Sequence, residues 1–200
     1  MEPLPKEVIE EYFSLHLPYR TQIMLAHYYM THDDAGRDLA WDGTKGPNTW
    51  LNACFEASVI TGRIYVNVLG LFRSDKANKL YSKDHKDFRD DDVSASELGG
   101  SLVNLNSMSE DDRKLLLAFM LMADKASAHL TKPKNHDWQD AHEAIRRICQ
   151  FLKAHLYEPT GRQCAEIDRF LTLSGKGRSE NVWGTSPVVV HSMKFGRSDK

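Results

Sequence analysis

The chain has 200 residues, of which 41% are apolar and 27% charged, with a formal net charge of −2. That length suits one domain plus a tail, and it buries a core without disulfide or metal staples. The charge balance excludes a dominant nucleic-acid or anionic-membrane footprint, since either calls for a clear basic excess.

The N-terminal stretch MEPLPKEVIEEYF is acidic and lacks the basic-then-apolar pattern of a secretion signal. Apolar Val8, Ile9, Tyr12, Phe13 and Leu15 recur at roughly helical spacing from Pro5 to about His16. Pro18 then suits either the first turn of a second helix, running to about Met30, or a kink in one long helix. Residues 33–47, DDAGRDLAWDGTKGP, are rich in turn formers and are expected to form a loop.

A long apolar helix follows over 48–72, with Asn48 or Thr49 as its cap and Gly70 near its end. It is long enough to span a bilayer, but Glu56 and Arg63 would each cost roughly 2.5–3.5 kcal/mol inside one. A buried bundle helix is the better assignment, and no membrane partner is expected. Asn52, Glu56, Arg63 and Asn67 fall within about 60° of one another on the helical wheel and form a narrow polar stripe. Cys54, Ser58 and Gly62 recur every four residues on another face, a spacing that permits close helix–helix approach. Phe55, Val59, Ile60, Ile64, Val66, Val68 and Leu71 are expected to supply core bulk.

From Arg73 to Asn106 the periodicity fades into a charged, irregular loop, with at most a short helix after the Asp90–Asp92 run. In the SMSEDD segment, Ser107 with Glu110, or Ser109 with Asp112, gives the start signal for the next helix. That helix should run to about His129, apolar all round from Leu115 to Ala123. Pro133 breaks it. The next helix, about Trp138 to Tyr157, is the clearest amphipathic one, with Ala141, Ala144, Ile145, Ile148, Cys149 and Leu152 in one arc. A shorter helix is expected over Arg162–Leu173. The pattern therefore predicts an all-α fold, an antiparallel (up-and-down) bundle of four to five main helices with a long irregular loop. It places a single domain at 1–173 and a loose tail at 174–200, with one strand-like run, PVVVHSM.

The polar stripe admits three roles. It is the only wet strip of the helix, or a structural network in which Arg63 pairs with an acid on a neighbouring helix, or a pocket for an anionic or nucleotide-like ligand. In the last role Glu56, Arg63 and Asn67 are the ligand-binding candidates, because guanidinium suits phosphate. Lys125 and His129 lie one turn apart at the end of the next helix. They are placed to bind phosphate or assist proton transfer, or to complement the helix dipole. No HExxH, Cys/His quartet, Walker loop or GxSxG occurs, and His27/His32 and His136/His142 are off a shared helical face; no metal site and no cofactor is expected. Cys54, Cys149 and Cys164 form no CxxC pair, a usage that fits free thiols in a cytoplasmic protein.

Three stretches together, ASVITGRIYVNVLGL, DDVSA and DKASAHLT before a Trp-led helix, resemble a set of uncharacterised bacterial all-α proteins. Those are in turn similar to the HEPN superfamily of helical bundles, over roughly residues 48–158. The resemblance implies an up-and-down bundle, often dimeric, in a superfamily that includes metal-independent RNases of toxin and phage-defence systems besides non-catalytic members. Active members carry an arginine followed, after four to six residues, by a histidine; Arg20 and His27 have that spacing and Arg63 does not. The expected function is non-catalytic ligand binding or interaction, with a nucleotide or RNA ligand and a homodimer as partners. The alternatives are an RNase using Arg63, Lys125 and His129, and a structural homo-oligomer subunit.

Overall fold

A proline two residues into a helix removes one donor and crowds the preceding turn. In the computed structural model, which describes residues 4–32, 49–84, 87–89, 92–128 and 138–174, the chain absorbs Pro18 by widening the helix just before it. Helix α1 (Lys6–Glu11) passes through a π turn at Tyr12–His16 directly into α2 (Leu17–His32). Of the two sequence expectations, one distorted helix is therefore the one observed. Helix α3 (Thr49–Val68) packs antiparallel to α2 and against α4 (Glu110–Ala128) and α5 (Trp138–Leu152). Helix α5 continues through a second π turn, Lys153–Tyr157, and α6 (Ala165–Ser174) closes against α2 and α5. The molecule is mainly helical, as expected, and among the described residues no helix is long and apolar enough to cross a membrane.

The start of α4 follows the second of the two proposed signals. Ser109 Oγ accepts from the Asp112 backbone N–H at 3.1 Å and donates to the Asp112 carboxylate at 2.7 Å. The apolar stretch is not buried all round, however: Leu116, Phe119, Met120, Met122 and Ala123 are buried while Ala118 is exposed. The arc expected on α5 is the face observed, with Ala141, Ala144, Ile145, Ile148, Cys149 and Leu152 at 2% exposure or less.

Two expectations change between Leu69 and Ser107. Helix α3 stops at Val68, four residues early, because Gly70 takes φ +86°, a conformation that ends a helix. The chain then forms a hairpin, β1 (Leu71–Ser74) with β2 (Lys79–Ser82), turning through Asn78 at φ +44°. Opposed pairs share a face, so Leu71, Arg73 and Leu80 lie together; Leu71 and Leu80 are buried and Arg73 is only 14% exposed. The following segment is irregular but sealed. Ala95 N–H donates to Val68 O at 2.8 Å and Val103 N–H to Leu69 O at 2.9 Å, satisfying the last carbonyls around the end of α3. Ser94 N–H and Oγ both donate to the buried Glu97 carboxylate at 2.8 Å, and Ala95, Leu98 and Val103 join the core. Gly100 lies so flush on the second π turn that an added Cβ would sit 2.3 Å from His155 O. The loop expected at 33–47, the tail from 175 onward and its strand-like run lie outside the described residues.

On α3, Ser58 and Gly62 are buried as their spacing suggests, but they face different neighbours. Ser58 Oγ accepts from the His27 backbone N–H at 3.3 Å and donates to Ile23 O at 3.1 Å, both on α2. Gly62 faces α4, where a Cβ would meet Phe119 Cζ at 2.6 Å. Ile64 was expected in the core and is instead 36% exposed. Because Phe119 is itself 2% exposed and cannot swing aside, Gly62→Val is expected to destabilise the fold by about 2 kcal/mol or more by overpacking. Urea unfolding of the two proteins measures this directly.

Candidate functional site

An acid at the end of an apolar stretch of a helix must find a cation or water. Asp124, on α4, finds two guanidinium groups. Arg63 from α3 places Nη1 against Asp124 Oδ1, and Arg73 from β1 donates Nε to Asp124 Oδ2 at 2.7 Å with Nη2 at 2.5 Å. Arg73 also pairs through Nη2 with the exposed Asp75 in the hairpin turn. The carboxylate is 23% exposed, so screening is partial and these charge-assisted bonds are stronger than a surface pair. Beside the cluster, Arg73, Ser74, Asp75, Lys76, Lys79 and Tyr81 line an open groove of about 530 Å³. Its lining carries three cations against one anion, and Tyr81 is 37% exposed.

The sequence candidates separate. Arg63 is half-buried on Asp124, and Asn67 sits one turn further along α3 with Oδ1 shut off from solvent and lacking a hydrogen-bond partner. Glu56 is exposed, two turns back on the same stripe and away from the cluster. Lys125 follows Asp124 directly, a step of about 100° around α4 that turns it to another face. Lys125 is half-buried, and His129 lies outside the described residues. Arg20 is exposed whereas His27 is 1% exposed. Arg73 and the hairpin lysines are the contributors that the sequence left unmarked. The one available signal was an arginine closing the apolar run LGLF.

A second groove, about 340 Å³, lies between the second π turn and α6. Its cations are neutralised locally: Lys153 pairs with Asp168 at 2.5 Å, and Arg162 pairs with Glu10 while stacking on Phe13. The hairpin groove is the one with uncompensated charge.

Helical spacing also hid a histidine cluster. His27 on α2 and His142 on α5 meet at 2.8 Å, Nδ1 to Nε2, with one ring donating and the other accepting. His32 packs edge-on against His142 and stacks on Tyr28, and Phe55 of α3 closes the other side of His27. Burial, and then the neighbouring imidazoles, pushes His27 down to about 4 and His142 to about 3. The pair is thus held neutral near pH 7, and among the described residues no group of three or more His, Cys, Asp or Glu could hold a metal ion. Comparison of the chain with family models, curated proteins and solved structures finds no match.

The histidine shifts set a pH dependence. The unfolded chain takes up protons near pH 6.5, while the folded pair resists protonation until about 4 and 3. The pair's contribution is therefore fully present above about pH 6.5 and is lost as pH falls through that window. Urea unfolding is expected to show a loss of up to about 3 kcal/mol per histidine of the pair between about pH 7 and pH 4. His142→Phe should have a shallower slope over the same range; an unchanged slope would assign the acid sensitivity to other groups.

Proposed function

We propose that this chain is a non-catalytic, HEPN-like helical bundle that binds an anionic ligand, a nucleotide or a short RNA, at the junction of α3, α4 and the hairpin. The observation that carries this reading is the basic groove of Arg73, Lys76 and Lys79 backed by the Arg63–Asp124–Arg73 cluster. Phosphate is recognised by guanidinium and ammonium donors fixed before the ligand arrives, and Asp124 fixes Arg73 in that way. Tyr81 offers a ring on which a base can stack. The commitment of both arginines to Asp124 supports binding over proton transfer, because neither is poised as an acid or base. The same reading places the protein in the cytoplasm, in keeping with three free cysteines, and includes a homodimer as its assembly.

Fluorescence-anisotropy titration with labelled ATP and a labelled short RNA tests the binding. Saturable binding is expected, weakened about tenfold or more by Lys79→Ala, a substitution at an exposed position that leaves the fold intact. The RNA should remain uncut. No binding to either probe would overturn the reading. RNA cleavage abolished by Arg63→Ala, with an unchanged melting temperature, would establish the RNase alternative instead.

A further inference from the structure

Helix α3 has an outer face as well as an inner one. Trp50, Ala53, Ala57, Ile60 and Ile64 recur at intervals of three, four, three and four residues, the seam spacing of helices that pack along their length. Trp50 is 73% exposed, Ile64 36%, Ala53 exposed, and Ala57 and Ile60 half-buried. The neighbouring α2 and its π turn also carry exposed apolar side chains, with Leu15 57% and Tyr19 60% exposed and Ile23 half-buried. The Ser58 hydrogen bonds to Ile23 and His27 hold α2 alongside α3. The α3 strip runs about 21 Å, at 1.5 Å per residue.

We propose that this surface is covered by a second copy of the same chain, with the two α3 helices antiparallel about a two-fold axis near residues 58–59. The proposal rests on the homodimer included in the reading above and names its surface. Charge and shape both point to this occupant. Reversing one α3 against another sets Ala53 opposite the partner's Ile64 and Ala57 opposite the partner's Ile60, small against large at each level. Glu56 and Arg63 each precede a seam residue and are one heptad apart, so both flank the seam on the same side. Antiparallel helices bring such flanking positions together, and here they oppose unlike charges twice, Glu56 to the partner's Arg63 and the reverse. Glu56 is exposed and oriented outward, and Arg63 has donors beyond the Nη1 that engages Asp124. With α2 alongside, each copy contributes two helices to a four-helix layer.

Sedimentation equilibrium on the full chain gives the first test. A dimer is expected, and Ile64→Glu, an exposed change whose fold is checked by circular dichroism, should raise its dissociation constant about a hundredfold. Glu56→Arg, which sets like charges across the seam and cannot disturb a core, should raise it about tenfold. Register is read by disulfide trapping in a Cys54→Ser background. A mixture of Ala53→Cys chains and Ile64→Cys chains should cross-link efficiently, whereas Ala53→Cys chains alone, about 16 Å apart along the antiparallel pair, should not. A monomer at every concentration overturns the homodimer and this surface together. A dimer that Ile64→Glu and Glu56→Arg leave intact, or one trapped through Ala53→Cys alone, overturns this surface and leaves the homodimer standing.

Discussion

A single carboxylate, that of Asp124, ties together three elements that the backbone alone leaves independent. Helices α3 and α4 approach closely at Gly62 and Phe119, and the hairpin hangs from the end of α3 after Gly70. Apolar contact can fix their distances, but it is non-directional and leaves rotation and register open. Two guanidinium groups converging on one half-buried carboxylate remove that freedom. A partly desolvated acid with fewer partners would be a liability, so the cluster works only when Arg63 and Arg73 both arrive. It thereby fixes the azimuth of α3 and the pose of β1 at once.

That fixed azimuth sorts the faces of α3. One side is sealed by Ser58 against α2, another by Gly62 against α4, and the polar stripe divides at its middle. The N-terminal half, Asn52 and Glu56, faces water; in the C-terminal half Arg63 engages the α4 acid and Asn67 is half-buried. Beside the stripe lies an apolar seam with Trp50 and Ile64 exposed. Because the cluster also anchors β1, the hairpin holds Arg73, Lys76 and Lys79 along one groove. Ligand groove and assembly seam are thus two outcomes of one orientation of α3, which links the proposed binding to the proposed dimer through Arg63.

How much of this was legible in the sequence depends on the range of each interaction. Short-range signals were: the Ser109–Asp112 cap, the α5 arc, and the close approach at Gly62 all follow from residues within one helix. Arg63 pairing with an acid on a neighbouring helix was among the open alternatives, because a lone base in an apolar helix needs a partner. Which acid, and the arrival of Arg73, were not visible, since four-residue strands leave too short a pattern to register. The segment around Ser94–Val103 carries apolar residues at neither helical nor strand period, so its burial through hydrogen bonds to the end of α3 was hidden. The His27–His142 pair joins residues far apart in sequence across two helices, and spacing rules applied within one helix miss such a pair.

The most direct test is a double-mutant cycle on Arg63 and Asp124, measured by urea unfolding of the wild type, Arg63→Ala, Asp124→Ala and the double variant. If this pair orients α3 against α4, the coupling energy should be about 1–2 kcal/mol, with the double variant more stable than the sum of the single losses implies. A coupling near zero would show that Arg63 and Asp124 act independently, and would contradict the account of how α3 is oriented.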